Sequence, residues 1–129
     1  MTKTFTQTFT PAMTILYVDQ PLASAAFYQK LFGLDPVEQS ATFAMFVLPS
    51  GLVLGLWSRH TVEPAAITTG GGCKLAIRTP SAADVDATHA AWRALGIRIL
   101  QAPTEMDFGR TFTALDHDGH RIRVFNPPA

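Results

Sequence analysis

Residues 108–125 read FGRTFTALDHDGHRIRVF, and the alternation in that stretch decides the fold class. Residues 110–115 switch between polar and apolar side chains, as a half-buried strand does. Asp116, His117, Asp118 and Gly119 then supply a turn. The Asp side chains can accept from nearby backbone N–H groups, and glycine tolerates a positive φ. Residues 120–125 resume the alternation, with Ile122 and Val124 on one face and Arg121, Arg123 and Phe125 on the other. Pro127 and Pro128 end the strand because neither can donate to a ladder. A face bearing two arginines and a phenylalanine is either open to solvent or the wall of a polar-aromatic pocket.

Working outward, residues 1–11 alternate Thr with Phe and read as a strand-like arm ending at Pro11. Residues 13–19 (MTILYVD) predict a strand. Pro21 suits the first turn of a helix, with Asp19 or Gln20 near the cap. Leu22, Ala25, Ala26, Tyr28, Gln29 and Phe32 keep helical spacing to Gly33, a C′ residue. Residues 42–48 and 52–58 predict strands around a turn at Pro49-Ser50-Gly51. A loop over residues 59–72 ends in three glycines, without the lysine-serine/threonine pair of a phosphate-binding loop. Residues 73–79 predict a strand that buries Cys73. Ser81 with Asp84 predicts a capped helix, its stripe formed by Val85, Thr88, His89, Trp92 and Leu95 and its end by Gly96. A short strand at residues 97–100 and a loop through Pro103 and Met106 lead to the hairpin.

Gly51 and Gly119 stand 68 residues apart, and a strand starts directly after each. In that register Trp57 matches Phe125, Gly55 matches Arg123 and Val53 matches Arg121. Each half then reads strand, helix and three strands. The expected architecture is α+β: one domain, residues 1–129, of two tandem βαβββ modules, about 12–60 and 72–127.

Composition narrows the partners. The 129 residues carry ten basic and ten acidic side chains and are 47% hydrophobic. Such a chain has no basic field for nucleic acid and none of the Lys/Arg runs of a membrane surface. Zero net charge suits a chain that hides surface in an oligomer. The single Cys73 fits a reducing cytoplasm, and the first residues lack the apolar core of a signal peptide. Nothing reaches the roughly 18 apolar residues of a spanning helix.

The tandem unit, with YVDQPLASAAFYQKLFGL early and LDHDGHRIRVFNPP late, resembles the vicinal oxygen chelate superfamily (glyoxalase/bleomycin-resistance/dioxygenase). Val18, Ser24, Phe27, Tyr28, Gly33, Asp116, Asp118, Gly119, Ile122 and Phe125 fit its opening and closing forms, with Leu31 one place early and Gln20 where Asp is usual. The resemblance implies two curled sheets forming a cup with the helices outside, commonly in a homodimer. Within the superfamily the chain is most similar to phenazine antibiotic resistance proteins. The likeness lies in Leu16-Tyr17-Val18, Trp57-Ser58, residues 108–112 and residues 118–124. It implies a protein that sequesters a planar aromatic compound without transforming it.

Metal enzymes of that superfamily take ligands from positions that here hold Met13, Gly55, Lys74 and Arg123. A divalent cation needs deprotonated N or O donors, and lysine and arginine repel it. No metal or other cofactor is therefore expected. His117 and His120 read as solvent-facing turn residues, His60 as a loop residue and His89 as a helix-surface residue.

Strand alternation places Met13, Ile15 and Tyr17 on the cup face, with Val53, Gly55 and Trp57 beside them. Trp57 would stack a flat ring, with Phe43 or Phe46 as a second aromatic wall and Met45 and Met106 as adaptable liners. Phe108 belongs to the same expected site. Arg110, Arg121 and Arg123 are candidates to pair with a ligand carboxylate, or else with Glu105, Asp107 or Asp118. Trp92 reads as structural. The expectation is a cytoplasmic, homodimeric, non-enzymatic binder of a small planar aromatic ligand, with neither nucleic acid nor membrane as partner. Two alternatives stand beside it: a lyase or dioxygenase using ligands such as His117, His120 or Glu105, and a module whose cup is filled by its own side chains.

Overall fold

The computed structural model describes residues 9–68 and 70–128. The arm expected over residues 1–11 lies mostly outside them, and residues 9–12 are exposed without regular structure.

Two units of like topology follow one another. The first comprises β1 (Met13–Val18), α1 (Pro21–Phe32), β2 (Glu38–Gln39), β3 (Phe43–Val47) and β4 (Val53–Ser58), in a sheet ordered β1-β4-β3-β2. The second comprises β5 (Lys74–Arg78), α2 (Ala82–Ala94), β6 (Arg98–Met106), β7 (Gly109–Leu115) and β8 (Arg121–Asn126), in a sheet ordered β5-β8-β7-β6. The expected α+β architecture of paired βαβββ units is present. Its register follows the repeat: Phe43 pairs with Trp57 and Met45 with Gly55, as Thr111 pairs with Phe125 and Thr113 with Arg123.

Each helix is placed by local chemistry. Pro21 opens α1, and Gly33 closes it at φ 67°, its N–H donating to Gln29 O. Ser81 Oγ accepts from Asp84 N at 3.2 Å, capping α2. Each helix covers one face of its sheet. Ala25, Phe27, Tyr28 and Leu31 pack with Leu16, Val18, Ala44, Phe46, Leu54 and Leu56, and Val85, Trp92 and Ile97 with Phe112, Ala114, Ile122 and Val124. The opposite sheet faces are left uncovered, and the site candidates lie there.

Three local expectations are corrected. β6 runs through Pro103 to Met106, where a loop was expected. It is the edge strand, and irregular pairing absorbs the missing proline N–H. Cys73 is exposed and lies just before β5, so it is not a buried strand residue. Leu95 caps α2 and is exposed, and Ile97 takes the buried place beyond it. β2, two residues long, is too short to leave an alternation in sequence.

Candidate ligand-binding face

On the first sheet, β-alternation collects one continuous apolar and aromatic face. Met13, Ile15 and Tyr17 of β1 are 37%, 38% and 40% exposed. Gly55 and Trp57 of β4 lie between them and Phe43 and Met45 of β3. Gly55 is what lets the face close: a Cβ there would meet Met13 Cε at 3.0 Å, Phe43 Cζ at 3.1 Å and Ile15 Cγ1 at 3.2 Å. Trp57 is half-buried and meets Phe43 edge-on, ring centroids 6.3 Å apart at 85°. A flat apolar molecule would find here an indole, a phenol and flexible thioethers, with Glu38 at the margin, paired with Met45 on the edge strand β2.

Register settles which phenylalanine belongs to this wall. Phe43 does. Phe46 sits on the other face of β3, fully buried against Phe32 with ring centroids 5.9 Å apart, so it cannot serve as the second aromatic wall.

The second sheet's open face is of different chemistry. Arg123 Nη1 donates to Gln101 Oε1 at 3.1 Å and to Thr111 Oγ1 at 3.0 Å, and its guanidinium lies 5.3 Å from the Phe108 ring centroid. Phe108 meets Phe125 edge-on at 6.4 Å. Gln101 was not foreseen. The pairing shift between Ile99 and Gln101 inserts an extra residue, which turns Gln101 from the α2 side toward Thr113 and Arg123. The trace of this in sequence is Pro103, which marks an irregular edge strand.

Arg110 is a correction. It points to the α2 side of β7, where its Nε and Nη2 donate to Asp86 at 2.9–3.0 Å and its Nη1 to Glu105 at 3.2 Å. Those carboxylates, Asp86 foremost, push its pKa up. A guanidinium held in this way has its fork already filled.

The turn after β7 is a joint between the units. Asp116 is buried and accepts from Tyr28 Oη at 2.7 Å and from the N–H groups of Asp118 and His120, each at 2.9 Å. Asp118 Oδ1 accepts from Asp19 N at 2.8 Å. His120, expected in solvent, is buried, and its Nε2 donates to Tyr17 O at 2.8 Å. A carbonyl can only accept, so that nitrogen carries a proton. His117 is exposed against the Phe27 ring, 5.1 Å away. His60 pairs with Asp19 at 2.6 Å, and His89 lies edge-on to Phe112 at 5.3 Å.

The donor set does not fit a divalent cation. Met13, Gly55, Lys74 and Arg123 offer a thioether, no side chain and two cations. Glu105, His117 and His120 are held apart by separate partners, and among the described residues no three His, Cys, Asp or Glu side chains are grouped as ligands. Among the described residues no helix is long and apolar enough to cross a membrane.

Residues 10–124 match the family described as the Glyoxalase/Bleomycin resistance protein/Dioxygenase superfamily. The chain is 30% identical over 120 residues to the phenazine antibiotic resistance protein EhpR of Enterobacter agglomerans, covering 91% of this chain and 92% of that protein. The solution NMR structure of protein ATC0852 from Agrobacterium tumefaciens matches with a TM-score of 0.87 at 56% identity, over 95% of this chain and 100% of that one. A glyoxalase-related enzyme from Fulvimarina pelagi matches with a TM-score of 0.81 at 24% identity, over 92% of this chain and 88% of its own, a likeness of fold alone.

Proposed function

The chain belongs to the Glyoxalase/Bleomycin resistance protein/Dioxygenase superfamily, and from that premise we propose that it is an antibiotic-binding resistance protein. It sequesters a small planar aromatic compound of phenazine type and leaves it chemically unchanged. One observation carries the reading: the exposed face around Gly55 joins Trp57, Tyr17 and Phe43 to Met13 and Ile15 in one apolar and aromatic surface. Similarity to a phenazine antibiotic resistance protein supports the ligand class. Protection then follows from mass action, because a tight complex lowers the free drug without turnover.

On a single chain this face is a wall rather than an enclosure. Apolar hollows of about 350 Å³ and 260 Å³ are lined instead by Phe32, Leu48 and Ile77 and by Leu16, Gly70 and His120. Leu100, Met106 and Phe108 of the second unit are exposed as well. The proposal therefore includes a homodimer, in which apolar sheet faces are covered and the cup is closed. It places the protein in the cytoplasm, where a lone thiol such as Cys73 stays reduced.

The test is metal analysis of the purified protein together with thermal unfolding in the presence of phenazines. Stabilisation by a phenazine, recovered unaltered from metal-stripped protein, is expected. A stoichiometric transition metal with conversion of the compound would instead establish the superfamily's lyase or dioxygenase chemistry.

A further inference from the structure

The repeat builds two joints between the units, and they are not alike. β1 meets β4 from Met13 and Val53 onward, and β5 meets β8 from Lys74 and Arg121 onward. In that register Tyr17 corresponds to Arg78, Leu48 to Asp116 and Leu52 to His120. At the first joint His120 Nε2 donates to Tyr17 O at 2.8 Å, and Asp116 accepts from Tyr28 Oη. At the second joint two leucines stand in place of the histidine and the aspartate, and neither side chain can bond to Arg78. What remains there is an apolar hollow of about 350 Å³, lined by Phe32, Leu34, Leu48, Leu52 and Ile77 and by Ala76 and Arg78 of β5.

The hollow adjoins a bare strand edge. β5 is the outermost strand of its sheet, and Thr79 N donates to Phe125 O at 2.8 Å. Residues 75, 77 and 79 therefore turn N–H and C=O toward β8, while Ala76 and Arg78 turn theirs away from it. Among the described residues no hydrogen bond reaches those outward groups. An unpaired edge beside an apolar hollow is the geometry that takes up an extended peptide as an added strand.

Charge narrows the partner. Leu75 and Ile77 pack against the core on the helix-covered side of β5, and Lys74 and Arg78 are exposed on the other side. Among the described residues the ion pairs hold Arg59, His60 and Arg110, and neither Lys74 nor Arg78. A second copy of β5, paired antiparallel about Ala76, would set Lys74 against Arg78, a like-charge pair that opposes association. Carboxylates in those places would attract, and the side chain between them, on the opposite face, would enter the hollow if apolar.

We propose that the β5 edge docks an extended segment of another protein in which acidic and apolar residues alternate, its apolar side chain filling the hollow beside Leu52. The site is separate from the Trp57 face and stands independently of sequestration.

The probe is a capped seven-residue peptide alternating glutamate with leucine, titrated calorimetrically against the full chain. Saturable binding is expected, with amide exchange slowed at Ala76 and Arg78 and unchanged at Leu75 and Ile77. Methylating the peptide nitrogens that face β5 removes donors and keeps every side chain, and should weaken binding at least about tenfold. Replacing the glutamates with lysines should weaken it by about tenfold as well. Leu52→Glu, at a position 41% exposed, is expected to abolish binding at an unchanged melting point. Ala76→Pro deletes one outward donor at an edge that tolerates proline, and should weaken binding too. Equal binding of the methylated peptide, or full affinity in a folded Leu52→Glu, overturns the proposal. So does an absence of binding; should Leu52→Glu then dissociate a homodimer, the occupant is a second copy of this chain. If Ala76→Pro fails to fold, Leu52→Glu and the methylated peptide decide.

Discussion

Tyr28 Oη donates to Asp116 Oδ2 at 2.7 Å, and that buried bond ties helix α1 of the first unit to the β7–β8 turn of the second. Burial, then the charge of Asp116, pushes the phenol far above its ordinary pKa. A raised folded-state pKa means that this stability is fully present below about pH 10 and is lost as pH climbs beyond it. Tyr28→Phe should lower stability by about 1–3 kcal/mol at neutral pH, because Asp116 loses one of three partners while staying buried. It should also flatten the alkaline limb of a stability–pH profile. Denaturant unfolding across the pH range reads both effects.

Phe43 and Phe46 lie three residues apart on β3 and do opposite work. Phe46→Ala removes a fully buried ring and is expected to cost about 3–5 kcal/mol of stability. Phe43→Ala should cost much less, since its ring is half-buried on the uncovered face, and should weaken phenazine binding. Thermal melts alongside a binding titration of the two variants make the distinction.

Gly109 opens β7 at φ 113°, where a Cβ would lie on top of Asn126 O. No side chain can yield there, because the obstacle is backbone. Gly109→Ala is expected to break the start of the β7–β8 pairing and to lower stability by several kcal/mol. Amide exchange should show the loss of protection concentrated at Arg110 and Asn126.

Asp19 accepts from His60 Nε2 at 2.6 Å and from Arg59 Nη2 at 3.4 Å. The His60 hydrogen bond, helped by Arg59, holds the Asp19 carboxyl below its usual value. A depressed folded-state pKa gives stability that is present above about pH 4 and is lost as pH falls through the lower value. All three side chains are exposed to solvent, so the contribution is small. Asp19→Asn should leave the neutral-pH melting point nearly unchanged and make the decline below pH 4 shallower.

Much of this was legible in the sequence, for physical reasons that differ by element. The 110–115 and 120–125 alternation fixed which side of the hairpin faces α2, because side-chain period and pleat are locked together, although Thr111 and Thr113 on the other side are buried as well. Pro21 and Gly33 marked the ends of α1 through φ preferences alone. The face of Met13, Ile15, Gly55 and Trp57 followed from the same alternation and the 68-residue spacing of Gly51 and Gly119. What stayed hidden depends on contacts remote in sequence. Residues 42–48 are apolar on both faces, so only pairing with β4 could show that Phe43 and not Phe46 faces outward. Arg110 and Arg123 look equivalent as residue types. They separate once α2 brings Asp86 to one of them and a bulge brings Gln101 to the other. His120 reads as a turn residue until Tyr17 O of the first unit lies against it.

The most direct test is a fluorescence titration of metal-stripped protein with a phenazine, in the unmodified chain and in Trp57→Ala. Trp92, on the sheet-facing side of α2, is buried against Phe112 and stays in both as an internal reference. Saturable quenching in the unmodified protein, with binding lost in a Trp57→Ala variant that keeps its melting point, is the predicted result. Unchanged affinity in that variant would contradict a binding site built on the Trp57 face.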